Sequence, residues 1–162
     1  MPKTPIKAVV VSISDTRHEE DDVSGVTLLG LLIAMNADVH EKVIVSDEFE
    51  DIRVTLVALC GRPDVNLIVT TGGTGLSLRD NTPEATKAVI EREAPGLAEA
   101  MRRETASATP LSMLSRGVCG SAGDTLIINL PGSPKAVTEC FEVIKPVIQH
   151  AVDLLAGRTA HD

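Results

Sequence analysis

Aromatic side chains and clustered positive charge are both scarce in this chain of 162 residues. It contains two Phe and neither Tyr nor Trp, which argues against binding single-stranded nucleic acid by stacking bases on aromatic rings. The net charge is −8 at pH 7, and the lysines and arginines are scattered along the chain. Because duplex nucleic acid and anionic membrane surfaces require a basic face, we expect neither as a partner.

Paired cysteines, metal-ligand spacings and long apolar segments are also missing. Cys60, Cys119 and Cys140 lie far apart without a Cys-x-x-Cys pair, which predicts reduced thiols. The four histidines lack the spacing of zinc ligands. No signal peptide precedes the first apolar run, and no segment is long enough to span a bilayer. These features predict a cytoplasmic protein.

Strand-like and helix-like segments alternate along the chain. Apolar, β-branched runs predict buried strands at 6–14, within 38–48 and at 65–71. Five helices are predicted. The first is capped by Ser24 and reaches about Asn36, and the second covers residues 48–60. The third covers residues 83–93 after a cap at Thr82, the fourth starts at Pro95, and the last begins at Ser133 and Pro134. Two further runs, 113–119 and 125–130, predict an antiparallel pair.

This order predicts an α/β fold of three layers. A mostly parallel sheet would carry helices on both faces, with a short antiparallel hairpin in the C-terminal half. We expect a single domain over residues 6–157, between a flexible lead-in (1–5) and a frayed tail (158–162). Ligands of such sheets bind beyond the carboxyl ends of the strands. The loops expected there are 12–16, 46–48, 71–80 and 131–134.

The loop at 71–80 reads TGGTGLSLRD and directly follows a predicted buried strand. Its first five residues, Thr71, Gly72, Gly73, Thr74 and Gly75, can bring backbone N–H groups and hydroxyls close to an anion. The helix that follows would direct its N-terminus into the same space. The loop matches neither the Walker motif nor GxGxxG. A phosphate site and a tight turn without a ligand are both compatible with it.

Two carboxylates stand near this loop. A carboxylate beside a phosphate repels it unless a cation lies between them, and Mg²⁺ commonly binds one or two carboxylates together with substrate phosphates. Asp80 ends the glycine-rich segment, and Asp47 follows the second predicted strand. Each has a structural alternative, namely a helix cap for Asp47 and a partner in Arg79 or the local backbone for Asp80. Their placement at one sheet edge favours an Mg²⁺ site.

Other polar residues on these loops and nearby are candidate ligand contacts. Each also has a structural role open to it, such as a turn, a helix cap or a surface ion pair. They are Ser14 and Asp15 after the first strand, Ser115 and Arg116, and Pro131, Gly132 and Ser133 before the last helix. No Ser–His–Asp or Cys–His order indicates a covalent nucleophile.

Taken together, these segments resemble the molybdopterin adenylyltransferase family of molybdenum-cofactor biosynthesis. The similarity rests on SISD, VSDE, TTGGTG, RDNTPEAT, PGLAEAMR, MLSR and LIINLPGSPKA, in this order, and covers roughly residues 6–157. One departure is Ser46, where close relatives often have Pro. The 16–23 loop also lacks the Gly/Ser-rich composition of some members.

The resemblance implies a compact α/β domain, commonly trimeric, that uses ATP and Mg²⁺ to adenylate molybdopterin and releases pyrophosphate. It implies that the product passes to a separate molybdate-inserting enzyme. Asp47 and Asp80 match the key acidic positions of the family, and Thr71 to Gly75 match its phosphate-binding loop. Ser14, Asp15, Ser115, Arg116 and the 131–134 turn match positions that line its pterin or nucleotide pockets.

Three alternatives remain at this point. The first is a weakly active or inactive paralogue or scaffold of the same fold. The second is a competence-protein-type domain with pyrophosphatase or deamidase activity, although its pattern after the glycine loop differs. The third is a ligand-binding or clustering module of the kind fused to a receptor anchor, which would be a longer chain.

Overall fold

A computed structural model describes residues 2–159 of the chain. Met1 of the predicted lead-in and residues 160–162 of the predicted tail lie outside the described residues. The elements, in chain order, are β1 (Lys7–Ile13), α1 (Val23–Ala34), β2 (Asp38–Val45), α2 (Phe49–Cys60), β3 (Leu67–Thr71), α3 (Thr82–Lys87), β4 (Arg92–Glu93), α4 (Pro95–Thr105), a 3-10 helix (Pro110–Leu114), β5 (Cys119–Ala122), β6 (Thr125–Leu130) and α5 (Pro134–Leu155).

The six strands form one sheet in the order β2-β1-β3-β6-β5-β4. The pairs β1–β2, β1–β3 and β3–β6 are parallel. The pairs β5–β6 and β4–β5 are antiparallel. The predicted mostly parallel α/β sheet with a C-terminal hairpin is therefore confirmed.

Side chains of the central strands alternate between the two faces of the sheet and contribute to a hydrophobic core on each face. Ala8 and Val10 of β1 face a cluster built with α1, α4 and α5. Val9 and Val11 face a smaller cluster built with α2 and α3. Successive strand residues point to opposite faces of a sheet, so a strand that is apolar at every position must be covered on both sides. This explains the near-continuous apolar run of β1.

Four predicted boundaries are wrong, and two of them are helix caps. Helix α1 is capped by Asp22, whose Oδ1 accepts from the Gly25 N–H, and not by Ser24. A carboxylate at this position can bind an N-terminal amide while Ser24 lies inside the first turn. Helix α3 begins at Thr82, so its N-cap is Asn81, one residue before the predicted cap.

The other two errors concern the end of one predicted helix and the start of one predicted strand. The predicted helix over 83–93 ends at Lys87, because residues 92–93 pair with β5 as an edge strand. The predicted strand over 113–119 begins only at Cys119, since Pro110–Leu114 form a 3-10 helix. Tertiary pairing with β5 outweighs the local helical pattern in residues 88–93.

No helix within residues 2–159 is both long and apolar enough to cross a membrane.

Candidate active site

The four loops predicted at the carboxyl edge of the sheet meet there. The Ser14 N–H donates to Val45 O at 2.9 Å, which joins the ends of β1 and β2. The Gly72 N–H donates to Leu130 O at 3.2 Å, which joins the ends of β3 and β6. Asn81 Nδ2 donates to Asp47 O at 2.9 Å and ties the glycine loop to the loop after β2. The edge is therefore one connected surface.

The first part of the glycine loop packs against neighbouring backbone. Gly72 has φ +99°, and a Cβ there would lie 2.4 Å from Ile13 O. Only glycine adopts this conformation readily and fits this approach. Thr71 is buried and its hydroxyl donates to Pro131 O at 2.7 Å. Thr71 and Gly72 thus fix the loop to β1 and to the turn after β6.

The next three residues, Gly73, Thr74 and Gly75, line a cavity of about 450 Å³. Within residues 2–159, their backbone N–H groups donate to no other protein group. Gly73 also has a positive φ of +67°. Consecutive unpaired N–H groups in such a turn form a concave site for an anion. The loop is therefore shaped to accept a phosphate.

The carboxylates of Asp47 and Asp80 lie over this loop. Asp47 Oδ1 lies 3.3 Å from the Cβ position of Gly73, and Asp80 Oδ2 lies 2.8 Å from that of Gly75. Asp47 Oδ2 accepts from the Asp15 N–H, and Asp80 Oδ2 accepts from the Ser77 N–H, both at 2.9 Å. Among the described residues, the Oδ1 atoms of both carboxylates accept no hydrogen bond.

The electrostatics of this corner favour a cation. Burial raises the pKa of the Asp47 carboxyl, and the charges of Asp15 and Asp80 raise it further, while the Asp15 N–H lowers it. Oxygen ligands from one or two carboxylates suit Mg²⁺, which completes its shell with substrate phosphates and water. Residues 2–159 contain no group of three or more His, Cys, Asp or Glu that could hold a metal ion. A divalent ion at Asp47 and Asp80 would therefore take its remaining ligands from substrate phosphates and water.

Asp15 and Arg79 form the outer rim beside Asp47. Asp15 Oδ1 accepts from the Asp47 N–H at 2.9 Å, so the two aspartates bind each other's backbone. Arg79 Nη2 donates to Asp15 Oδ2, and its Nη1 donates to Glu48, both at 2.6 Å. The Asp47 N–H and the Arg79 side chain hold the pKa of the Asp15 carboxyl below its ordinary value. Arg79 therefore forms ion pairs with Asp15 and Glu48. Of the two partners predicted for Asp80, the structure shows the local backbone, in the Ser77 N–H.

Arg116 supports the loop from its side. Its Nε donates to Gly75 O at 2.8 Å, its Nη2 donates to Asp80 O at 2.9 Å, and its Nη1 pairs with Glu84. It does not line the cavity. The guanidinium therefore holds the backbone on both sides of the 76–79 segment. Its predicted ligand contact stays a prediction.

The remaining candidates are divided between the cavity and its supports. Ser115, Pro131, Gly132 and Ser133 line the cavity. The Ser133 hydroxyl also accepts from the Ala136 N–H at 3.2 Å and caps α5. Ser14 lies outside the cavity lining, and its hydroxyl accepts from the N–H groups that follow it in a local turn.

Two residues of the site carried no strong sequence signal. Arg102 of α4 lines the cavity and donates through Nη1 to Ser115 O and Gly117 O, both at 3.2 Å. Asn129 is buried in β6 and also lines the cavity. The one polar residue in the apolar run LIINL was a possible signal for Asn129. Arg102 stood within PGLAEAMR, where the local pattern gave it no role.

The acidic segment 19–22 supports the fold beneath the site. Asp22 is buried, and its Oδ2 accepts from Ser12 Oγ at 2.6 Å and from Lys42 Nζ at 2.8 Å. Glu19 pairs with the same lysine at 3.0 Å. Ser24 Oγ donates to Gly132 O at 2.5 Å. The start of α1 therefore positions the turn that lines the cavity.

Comparison with known proteins identifies the family to which the chain belongs. Residues 9–150 match the family described as "Probable molybdopterin binding domain". The chain is 41% identical over 152 residues to a molybdopterin adenylyltransferase of Helicobacter pylori (strain J99), covering 91% of this chain and 86% of that protein. It is 45% identical over 150 residues to the molybdenum cofactor synthesis protein cinnamon of Drosophila melanogaster, covering 90% of this chain but only 25% of that longer protein.

A solved structure agrees with these matches. The molybdopterin biosynthesis enzyme MoaB from Thermus thermophilus superposes with a TM-score of 0.87 at 42% identity. The superposition covers 94% of this chain and 97% of that one.

Proposed function

Since this chain belongs to the molybdopterin-binding domain family of molybdenum-cofactor biosynthesis, we propose that it transfers the adenylyl group of ATP to the terminal phosphate of molybdopterin. The products are adenylated molybdopterin and pyrophosphate. The Helicobacter pylori relative named for this activity is 41% identical and is covered over most of its length. That similarity favours an active enzyme over an inactive paralogue or scaffold.

One observation of the site carries the proposal. Three consecutive N–H groups, those of Gly73, Thr74 and Gly75, have no acceptor among the described residues and border the cavity beside the two carboxylates. Backbone N–H groups bind phosphate oxygens without the flexibility of side chains, so they hold the nucleotide with little ordering at the moment of reaction. Such an arrangement suits phosphoryl or nucleotidyl transfer, in which positioning and electrostatics supply most of the catalysis.

The chemistry requires no general base. A phosphomonoester has its second pKa at ~6, so the terminal phosphate of molybdopterin is largely a dianion at neutral pH. One of its oxygens forms a bond to the α-phosphorus of ATP. The bond from that phosphorus to the β-bridging oxygen breaks, and the electron pair leaves with pyrophosphate. The chain must align the two phosphates and reduce the repulsion between them.

We propose that Asp47 and Asp80 hold the Mg²⁺ that accompanies the nucleotide. Their Oδ1 atoms are the ones without a described protein donor, while the Oδ2 atoms are fixed by backbone N–H groups. A bound Mg²⁺ would neutralise charge on the phosphate oxygens. The amides of the glycine loop orient the phosphates, and Arg116 keeps the loop in place through Gly75 O and Asp80 O.

We further propose that the protein acts in the cytoplasm as a homotrimer and delivers its product to a molybdate-inserting enzyme. Val23, Val26 and Ile33 on α1 are each more than half exposed, at 58%, 54% and 57%. Apolar side chains exposed along one helix favour a subunit contact. Sedimentation equilibrium of the purified chain tests the trimer, and a monomer at micromolar concentration would contradict it.

The test of the function is a reaction of purified protein with molybdopterin, ATP and Mg²⁺. We expect adenylated molybdopterin and pyrophosphate in equal amounts. Asp80→Asn keeps the size of the side chain but removes its charge, so turnover should fall at least ~100-fold, as for the loss of a group that stabilises transferring phosphate. Chromatography coupled to mass spectrometry measures both products.

A matched control is Asp64→Asn. Asp64 precedes β3, at the opposite end of that strand from the glycine loop, and pairs with Arg62 on the surface at 2.9 Å. Its loss should leave turnover unchanged. Full Mg²⁺-dependent turnover in Asp80→Asn would refute the role of that carboxylate. Binding of molybdopterin without any adenylate would favour the scaffold alternative.

A further inference from the structure

Arg102 is a cationic side chain in the cavity wall. It lies on α4 and is half-buried. The other charged residues that line the cavity, Asp80 and Glu139, are acidic. Within residues 2–159, Arg102 is therefore the single fixed positive charge of the cavity lining.

Arg102 also lacks the carboxylate partner that its neighbours have. Arg17, Arg79 and Arg116, the other arginines near this edge, each lie within 4.0 Å of an acidic side chain. No carboxylate in the described part of the chain lies that close to Arg102. Because no carboxylate of the described residues pairs with it, the charge of Arg102 remains available to an anionic ligand.

The hydrogen bonds of Arg102 fix its guanidinium but do not use all of its donors. Nη1 donates to Ser115 O and Gly117 O. Its Nε and Nη2 donate to no acceptor among residues 2–159. A guanidinium that is held at one corner and free along another edge can bind two oxygens of a phosphate at once. The loss of side-chain freedom on binding is reduced because the group is already anchored.

The anchoring segment connects Arg102 to the glycine loop. The Arg116 N–H donates to Thr74 O at 2.8 Å. The carbonyls that bind Arg102 belong to Ser115 and Gly117, the residues on either side of Arg116. The segment 115–117 therefore contacts both the Arg102 guanidinium and the glycine loop, and Arg102 lines the same cavity as Gly73, Thr74 and Gly75.

We propose that Arg102 binds the terminal phosphate of the acceptor substrate, a phosphomonoester. The inference rests on the proposed function. It assigns the two anionic substrates of that reaction to different charged groups of the protein. A nucleotide that carries a divalent cation matches the carboxylates of Asp47 and Asp80. A phosphomonoester that carries no metal requires a fixed cation, and Arg102 supplies it.

The test compares molybdopterin with the same compound after removal of its phosphate. Equilibrium binding is measured without ATP, so it does not depend on turnover. The wild type should bind the phosphorylated form ~10- to 100-fold more tightly, as expected for a charge-assisted bidentate contact. Arg102→Gln should lose this preference and bind the dephosphorylated form as the wild type does. In turnover, Arg102→Gln should raise the KM for molybdopterin and leave the KM for ATP unchanged.

Two further variants keep the test decisive. Arg103→Gln removes the next arginine of α4, which is 70% exposed and pairs with Glu104, and should behave as the wild type. Arg102→Lys keeps the charge but not the planar fork, so it should retain only part of the preference. If Arg102→Gln unfolds at a lower temperature than the wild type, the phosphate preference of Arg102→Lys decides the test. A partial loss supports the role of Arg102, and an unchanged preference overturns it.

The outcomes separate this inference from the proposed function. Equal binding of both forms by the wild type, or an unchanged preference in the Arg102 variants, overturns the role of Arg102 even if adenylate forms. A phosphate preference that depends on Arg102, without any adenylated product, supports the inference and contradicts the proposed function.

Discussion

Gly72 and Gly75 belong to one loop but should respond differently to the same substitution, Gly→Ala. Gly72 has φ +99°, and an added Cβ would lie 2.4 Å from the backbone oxygen of Ile13. A left-handed conformation costs an alanine ~1–2 kcal/mol. Overpacking against atoms that cannot rotate away adds about 1–3 kcal/mol. Gly72→Ala should therefore reduce the free energy of unfolding by roughly 2–5 kcal/mol.

At Gly75, only the Asp80 side chain restricts the space for an added Cβ. Its added Cβ would lie 2.8 Å from Asp80 Oδ2, and its φ is not positive. The carboxylate can move, so Gly75→Ala should change the free energy of unfolding by less than about 1 kcal/mol. The same movement displaces Asp80 from the loop. Because a shift of ~1 Å in a positioned group costs roughly 100-fold in rate, turnover should fall by that order.

Thermal unfolding and steady-state adenylation on the same preparations measure the two effects. At ~2–4 °C per kcal/mol for a chain of this size, Gly72→Ala should lower Tm by about 10 °C and Gly75→Ala by at most a few degrees. Gly96→Ala is the control, since a Cβ there meets no atom within 4 Å. Wild-type turnover in a folded Gly75→Ala protein would refute the argument that Asp80 must lie over this glycine. An unchanged Tm in Gly72→Ala would refute the close approach to β1.

Three further predictions follow from the supports of the site. Arg116→Met removes the hydrogen bonds to Gly75 O and Asp80 O, so it should destabilise the protein by about 2–3 kcal/mol in urea unfolding, and an unchanged midpoint would contradict this. For Asp22, burial acts to raise the pKa, but hydrogen bonds from Lys42, Ser12 and the Gly25 N–H hold it below its ordinary value of 3.8. The stability from this depressed pKa is present above that value and is lost as the pH falls below it. Asp22→Asn should therefore be less stable than the wild type at pH 7 and should lose less stability on acidification to about pH 3. Parallel curves of stability against pH for the two proteins would contradict this. Calorimetry should detect Mg²⁺ binding only when ATP is present, because residues 2–159 hold no group of three or more potential metal ligands, and tight binding of Mg²⁺ alone would contradict this.

The sequence predicted the central strands and the edge of the sheet well because their signals are local. An apolar run such as that of β1 fits few structures other than a strand covered on both faces. Once the strands are parallel, topology alone brings the loops after them together. The sequence therefore predicted that Asp47 and Asp80 lie close to the glycine loop, as they do in the structure.

The features that the sequence missed depend on contacts between distant segments. The edge strand Arg92–Glu93 has two residues and exists because β5 pairs with it. Asp22 caps α1 because its carboxylate also reaches Ser12 and Lys42 across the fold. Arg102 lines the cavity and is held there by the carbonyls of Ser115 and Gly117, which lie on a separate segment of the chain. These contacts have no periodicity that a single sequence can reveal, and the motif PGLAEAMR, which contains Arg102, does not show what its arginine binds.

The most direct test of the central claim is the structure of the reaction product. The protein is mixed with molybdopterin, Mg²⁺ and ATP labelled with ³²P at the α-phosphate, and the product is analysed by fragmentation in a mass spectrometer. The account predicts that the label lies in a new diphosphate bond between AMP and the terminal phosphate of molybdopterin, with pyrophosphate released in equal amount. Label recovered only as ATP or free AMP, or attached elsewhere on molybdopterin, would contradict it.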